Sequence, residues 1–443
     1  ADMPAAEPLG TGAIELDGLL LGLRKGRAIV VVGEPVDDRG HSVVIATTLA
    51  EVTHDFGNGR TTTVTLTDAL PTALARPTTT VSANVAAASQ GETRREVLGS
   101  GDASKAFQKF ALKQSPLTFV SAPTVSGVAS TLEVRVNDVL WHETDMLAGL
   151  GPRDRRFLSR TDDDQTTTIV FGDGVHARRL PTGVENIRAT YRSGIGQSGN
   201  VKCGQISLLG TRPLGVKEVM NPIRASGGAD RETRDEVRKN APLALIALDR
   251  LVATSDYAAF SLTFAGIGKA AAFRNTDGHQ QWVHVAVAGA RDIPIETTSD
   301  LYRNLKQALH RFGDPYLPIE VKVRDRSALV VSANIKVDPD YQWEMLEPKI
   351  RAAMLDRFSF ERMDLGQDAL LSDAVRAIQT LRGVVYVDVD VFDSVSEQTL
   401  LTGFSQSTPQ TLDLLARVGA APDEIIYLAP EVPDTLILQE VKS

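Results

Sequence analysis

The stretch Trp282–Val337, WVHVAVAGARDIPIETTSDLYRNLKQALHRFGDPYLPIEVKVRDRSALVVSANIKV, changes its hydrophobic period twice. Trp282–Ala288 is an apolar run of strand length. In Ser299–Phe312, Leu301, Leu305, Ala308, Leu309 and Phe312 recur at helical spacing, and Gly313 and Pro315 end the helix. Ile319–Val323 and Leu329–Val337 then alternate as strands do. Further on, Leu346, Ile350, Ala353, Met354 and Phe358 form a second helical stripe. Ser372 caps a third helix, closed by Gly383. Val385, Val387, Val389 and Val391 make one face of a last strand. From Trp282 to Val391 the order is β-α-β-β-α-(α)-β, which predicts a split βαβ, ferredoxin-like unit with one added helix. Such units host many unrelated functions, so the fold alone names no activity.

Upstream of this unit, Thr254 is placed to cap a helix whose apolar face is Tyr257, Phe260 and Phe264, stopped at Gly266. Arg231–Leu245 reads as a charged, then apolar helix interrupted by Pro242. Before it, Ser226, Gly227 and Gly228 form a hinge-like break. The pattern N-terminal to the break is β. Ala28–Val32 and Thr61–Leu66 read as strands around a polar, glycine-punctuated loop, after a linker-like opening over residues 1–20. Thr131–Val136 alternates and turns at Asn137-Asp138 into Val139–Trp141.

The run Val170–Val201, VFGDGVHARRLPTGVENIRATYRSGIGQSGNV, concentrates turn residues: Gly172, Asp173 and Gly174, then Pro181 and Gly183, then Gly194, Gly196 and Gly199. Its Asp-Gly pair suits a tight hairpin after the strand Thr166–Phe171. Between the turns, Ile187, Ala189 and Tyr191 alternate with Arg188, Thr190 and Arg192, one face packed and one solvated. The tail reads as a short helical run at Thr411–Val418 and two strands, Ile425–Leu428 and Thr435–Leu438, around Ala429–Pro433. A terminal strand of that kind either packs on its own domain or pairs with a neighbour's exposed sheet edge.

The expected fold class is α+β multidomain, in four segments. These are a β-rich N-terminal region (1–77), a β-sandwich or barrel-like domain (78–222), an α+β domain with the ferredoxin-like unit (223–392) and a C-terminal arm (393–443). Length agrees, since 443 residues imply roughly two to four domains. Hydrophobic residues at 42% and charged residues at 23% predict packed cores. A net charge of −9 argues against nucleic acid as the main partner, because phosphate contacts need clustered Lys and Arg. The lone Cys203 excludes an internal disulfide and any multi-cysteine zinc site. No apolar run is long enough to span a membrane and no signal peptide is recognisable, so membrane insertion is not expected. The opening ADMPAAEPLG lacks an initiator Met and reads as the ordered part of a longer polypeptide.

Residues that could carry chemistry do not assemble into a motif. Thr11–Val36 resembles the opening of a RecA-like ATPase core. A P-loop needs G-x-x-x-x-G-K-[ST], whereas here Gly33 is followed by Glu34, Pro35, Val36, Asp37, Asp38, Arg39, Gly40, His41 and Ser42. His41 stands in place of Lys, and Asp37-Asp38 would repel phosphate. Asp162-Asp163-Asp164 lacks the spaced ligands, central Gly and distal Glu of an EF-hand loop and reads as an acidic hairpin tip. The seven histidines form no H-x-x-x-H pair. His142 and Glu143 are adjacent in a strand and so point to opposite faces. Gly196-Gln197-Ser198-Gly199 lacks the spacing of a nucleophile elbow. No catalytic residue, metal ligand or cofactor is expected.

Several blocks carry a family resemblance. They are LGSGDASKAFQKFALKQSPLTFVSA (Leu98–Ala122), STLEVRVNDVLWHE (Ser130–Glu143), GPRDR (Gly151–Arg155), FGDGVHARRLPTG (Phe171–Gly183), ATYRSGIGQSGNV (Ala189–Val201), GGADRETRDEVRKNAPLAL (Gly227–Leu245) and YLAPEVPDTLILQE (Tyr427–Glu440). In this order they resemble the phage baseplate J-like family, in particular the baseplate assembly proteins of extracellular contractile injection systems. The resemblance implies a wedge component of a phage-tail-like baseplate, with no catalytic residues. Its partners would be other copies of itself, a second baseplate wedge protein, and the central hub or spike and sheath proteins. Two other classes predict different behaviour. A tail-associated enzyme would bind nucleotide or cleave cell envelope, and a tail fibre would bind glycan and usually show internal repeats, which this sequence lacks.

Overall fold

The computed structural model describes residues 8–441 apart from 11, 38, 58–59, 195, 212, 233, 235–236, 239–250, 298, 398–411 and 431. The chain divides into two compact units, one of Ala1–Val120 with Ser130–Asp230 and one of Ser121–Ala129 with Arg231–Ser443. Most of the helix expected at Arg231–Leu245 lies outside the described residues.

The first unit begins with five antiparallel strands, β1 (Ala13–Leu16), β2 (Ala28–Gly33), β3 (Val43–His54), β4 (Thr62–Leu66) and β5 (Thr80–Ser82), in the order β1-β4-β3-β2-β5. Ile14, Ile29, Val31, Leu49, Val64 and Leu74 fill their core. Strand β3 occupies the middle of what the sequence suggested was a loop. Its run VVIATTLAEVTH is rich in β-branched residues, and the glycines lie only at its flanks.

Further strands follow: β6 (Glu92–Gly101), β7 (Lys109–Ala111), a short pair β8 (Phe119–Ser121) and β9 (Val128–Ser130), then β10 (Glu133–Val136), β11 (Val139–Glu143), β12 (Arg156–Thr161), β13 (Thr167–Phe171) and β14 (Gly183–Ser193). Seven of them form one sheet in the order β6-β14-β10-β11-β12-β13-β7. Asn137 and Asp138 turn β10 into β11 at φ of 50° and 61°, the backbone of a two-residue hairpin. The Asp-Gly at residues 173–174 does not make the tight hairpin expected of it. β13 pairs with β12 and β7, and an eleven-residue loop, Gly172–Thr182, separates it from β14. Ile187, Ala189 and Tyr191 are buried as their alternation predicted, beside Val134, Trp141, Phe157 and Phe171.

The second unit holds two larger sheets and a short two-stranded one. In the first, helix α1 (Thr254–Thr263) precedes the hairpin β15 (Ile267–Thr276) and β16 (Gln281–Gly289). Helix α2 (Asp300–Phe312) then leads to β17 (Ile319–Val323), which runs parallel to β16. Tyr257, Phe260 and Phe264 of the α1 region pack with Leu301, Leu305 and Leu309 of α2 against Val283, Val285 and Val287. Ser299 caps α2, its Oγ accepting the Tyr302 N–H at 3.2 Å. At α1 the expected cap shifts by one residue: Thr254 is the first helical residue, and Asp256 accepts the Ala253 N–H at 2.8 Å.

In the second sheet, β18 (Asp325–Val337) is central. Helix α3 (Trp343–Arg357), strand β19 (Ala369–Leu370) and helix α4 (Leu371–Gln379) lead to β20 (Val384–Ser396), which pairs antiparallel with β18. Ser372 falls inside the first turn of α4 instead of at its cap. Strands β22 (Glu424–Tyr427) and β23 (Leu436–Glu440) pair with β18 in parallel on its other side. Before them in sequence, β21 (Arg417–Val418) pairs with β19, where a helical run had been expected over Thr411–Val418.

The secondary-structure order of Trp282–Val391 is therefore as read, but the strands do not share one sheet. A ferredoxin-like unit would place β18 and β20 beside β16. Here β15 occupies that edge of β16, and β20, β22 and β23 occupy both edges of β18. The C-terminal segment is likewise not a free arm, because β22 and β23 complete its own domain's sheet.

A charged cluster lies within this second unit. Asp292 Oδ1 accepts from Arg324 Nε at 2.6 Å, and its Oδ2 accepts from the Tyr427 hydroxyl. Arg326 lies 3.7 Å from Asp292 and stacks over the Tyr427 ring. The Arg324 and Asp292 side chains are only 7% and 12% exposed. Burial, and then the hydrogen bond to Asp292, push the Tyr427 phenol above its ordinary value.

Candidate interaction surface

Strands β11 and β12 run parallel, with His142 opposite Arg156 and Glu143 opposite Phe157. A parallel pair needs a crossover, and residues 144–155 supply it. The crossover is tightened at its end by Asp154. Its Oδ2 accepts the Gly151 N–H at 2.8 Å, and its carbonyl accepts from Arg156 N at 3.0 Å and Arg178 N at 2.8 Å. One residue thus joins the GPRDRR turn to the Gly172–Thr182 loop.

That loop is built by the turn residues singled out in the sequence. Phe171 anchors it in the core, its ring 5.4 Å from Trp141 and 6.0 Å from Phe110. Gly172 abuts the backbone so closely that a Cβ would lie 2.5 Å from the carbonyl oxygens of His176 and Ala177. Gly174 adopts φ of +91°, where a side chain is strained, and donates its N–H to Ala177 O at 3.0 Å. Asp173 Oδ1 accepts from the N–H groups of His176 (2.6 Å) and Val175 (2.8 Å). Those two bonds, in that order, hold its carboxyl down at about 2. Arg179 folds back, with Nε donating to Asp173 O at 2.8 Å.

The result is a concavity of about 650 Å³ lined by Leu140, His142, Pro152, Asp154 and four arginines: Arg153, Arg155, Arg156 and Arg178. All four are exposed, and among the described residues none of them forms an ion pair. The only carboxylate in the lining, Asp154, is occupied by the Gly151 turn. In a chain of net charge −9 this is a concentrated patch of positive charge. Sequence reading missed it because its two halves, residues 151–156 and 178, are separated by strands β12 and β13. The doubled arginines of RDRR and HARR were the available signal.

The remaining turn residues lie elsewhere in the same unit. Gly183 abuts Asn186, which also donates to Pro181 O at 3.3 Å. Gly194 abuts Gly91, and Gly199 abuts Gln90. Gly196 meets Ala229 and Gly228 meets the Gly196 carbonyl, leaving no room for side chains. The candidate hinge, Ser226–Gly228, is thereby laid along Gly196–Val201. Asn200 bonds both the Gly228 N–H (2.9 Å) and its carbonyl (2.6 Å), and Gln197 N donates to Asp230 Oδ1 at 2.9 Å.

The tempting chemical motifs take ordinary places. After Gly33, Val36 N donates to Ala73 O and Ala75 N to Glu34 O, so this backbone is tied to a neighbouring segment. Trp141 is buried and His142 exposed, while Glu143 accepts from the hydroxyls of Ser130 and Ser159. Among the described residues no three His, Cys, Asp or Glu side chains are grouped to hold a metal ion. Nor is any helix among them long and apolar enough to cross a membrane.

Residues 249–322 match the family model described as the Baseplate J-like central domain. The span takes in α1, β15, β16 and α2 and reaches into β17, which is the first sheet of the second unit with its two helices. No curated protein matches the sequence. Among solved structures, a chain of the 6-fold symmetrised cryo-EM structure of the anti-feeding prophage (AFP) baseplate aligns over 96% of this chain and 77% of its own, with 12% identity and a TM-score of 0.31. A TM-score of that size does not establish a common fold. What the comparisons show is thus a match of one segment, residues 249–322, to the baseplate J-like central domain.

Proposed function

We propose that the chain is a wedge subunit of a phage-tail-like baseplate, a structural component that assembles around the central hub or spike and helps anchor or nucleate the sheath. The observation that carries this reading is the baseplate J-like central domain at residues 249–322, which coincides with a complete sheet-and-helix unit. In this reading the partners are other copies of the chain, a second wedge protein, and hub, spike and sheath proteins. Assembly takes place in the bacterial cytoplasm, the product is a tail-like particle, and the chain performs no catalysis. The turn residues of Val170–Val201 fix loops that face neighbours. The Ser226–Gly228 break, just before the end of the first unit at Asp230, permits copies of the chain to adopt different conformations.

Co-expression with the other baseplate chains of the same particle, followed by purification and imaging, tests the reading. The expected result is copurification in a complex whose image places this chain at the base of the tail. Failure to copurify under conditions that keep particles intact would overturn it. Rigid superposition of all copies in such an image would rule those different conformations out.

A further inference from the structure

The acidic turn Asp162-Asp163-Asp164 has no chemical motif around it, yet its place in the fold is specific. It closes the hairpin between β12 and β13, whose register runs from Phe157 opposite Phe171 to Thr161 opposite Thr167. Those four steps of about 3.4 Å put the turn roughly 14 Å from the other end of the strand pair. At that other end β12 begins at Arg156 and β13 runs into Gly172, which is where the arginine concavity sits.

The turn is well formed. Asp162 Oδ1 accepts the Thr166 N–H at 2.8 Å, Asp162 N donates to Thr166 O at 3.1 Å, and Gln165 takes φ of 64°. All three aspartates are exposed. The hairpin therefore carries three aspartates at one end, and at its other end Arg156 and the two flanking loops form the arginine concavity.

We propose that the Asp162–Asp164 turn of one copy seats in the arginine concavity of the next copy, in a head-to-tail contact. Guanidinium groups take carboxylates as paired, planar hydrogen bonds, which an arginine cluster supplies and lysines would not. A nucleic acid would need an extended basic stripe, and the chain's net charge of −9 opposes its approach. The donating and receiving surfaces differ, so the contact is heterologous. It repeats into a ring if the rotation closes and into a filament if it does not. This deepens the self-association in the function proposed above, and it can fail while the wedge role stands.

The test uses the full chain and two charge swaps, Arg153→Glu with Arg178→Glu, and Asp162→Lys with Asp163→Lys and Asp164→Lys. Sedimentation at low salt should show mass rising with concentration, reversed near 1 M salt, where the screening length is about 3 Å. Each swap alone should weaken association about tenfold or more. Mixing the two swapped proteins should restore it, because each then offers a surface complementary to the other. All the substituted residues are exposed, and unchanged circular dichroism checks folding. If a swap misfolds, the neutral changes Arg153→Gln with Arg178→Gln and Asp163→Asn with Asp164→Asn replace it. A chain that stays monomeric, a mixture that does not recover, or association lost on the arginine side alone overturns the proposal. So does a concavity whose only measurable partner is a single-stranded oligonucleotide probe. Copurification of the arginine variant with other baseplate chains would show that the wedge reading survives such a failure.

Discussion

Arginine appears in two opposite settings in this molecule. Around Asp292, Arg324 is nearly sealed from solvent, bonded to a carboxylate that also takes the Tyr427 hydroxyl. Around Asp154, four arginines stand in solvent, and among the described residues none of them forms an ion pair. A buried charge is tolerable only with its partner, so the first cluster is internal glue for its unit. An exposed cluster of like charges adds nothing to folding and repels itself. Under the contact proposed above its partner lies outside the chain, and the difference would then separate residues that hold this protein together from residues that join it to another copy.

The comparison breaks most easily at its largest expected effects. Asp292→Ala leaves Arg324 and the Tyr427 hydroxyl without their carboxylate in a nearly closed site, and should cost about 3–5 kcal/mol. Phe171→Ala should cost a similar 3–5 kcal/mol, because it empties a fully buried site under the arginine loop. Denaturant midpoints followed by fluorescence and circular dichroism measure both. The two variants should destabilise different units, Asp292→Ala the second and Phe171→Ala the first, and a single shared transition shift would contradict the division of the chain. At the other extreme, Arg153→Ala with Arg178→Ala should change the midpoint by no more than about 0.5 kcal/mol. A loss comparable to that of Asp292→Ala would make the exposed arginines structural and end the contrast.

How far each setting was legible in the sequence follows from the same physics. Apolar periodicity is local, so α2, β16 and β17 could be read to within a residue, and α3 and β18 were placed with β18 starting four residues earlier than read. Pairing is not local. Nothing in Ile319–Val337 says that β17 and β18 join different sheets. The strand that takes β16's free edge, β15, begins IGKAAAF, whose alanines and glycine have poor strand propensity. The edge of β18 is filled from a hundred residues away by Ile425–Tyr427 and Leu436–Glu440. The turn residues 172–174 were legible as turn formers, but their purpose was not. The hairpin expected from Asp-Gly is overridden because Phe171 and Arg179 anchor a longer loop. The arginine concavity exists only once Asp154 has joined residue 156 to residue 178.

A middle-sized effect sharpens the contrast. Gly172→Ala brings a Cβ to 2.5 Å from two backbone carbonyl oxygens, so the loop must shift, at about 1–3 kcal/mol. Because Arg178 rides on that loop, the variant should also disturb the concavity, visible as altered exchange at the Arg178 and Arg179 amides. A change in stability without a change at those amides would mean that Gly172 does not position the arginine side of the surface.

The smallest effect concerns Asp173, and its sign is fixed by the hydrogen bonds it accepts. Its ionised carboxylate takes the N–H groups of His176 and Val175, so its folded value is about 2, below the ordinary 3.8. A depressed carboxyl contributes fully above the unfolded value and loses that contribution as pH falls through the folded one. The window therefore runs from about pH 4 to about pH 2. Amide resonances of Val175 and His176 should move within it, while those of the β13 core stay fixed. Asp173→Asn should abolish the movement. Titration at the ordinary value would remove the bonds' electrostatic role. If protonation melted the whole unit, the loop would belong with the Asp292 cluster as glue. Because the carboxylate is only partly covered and its bonds are to its own loop, the response should stay local.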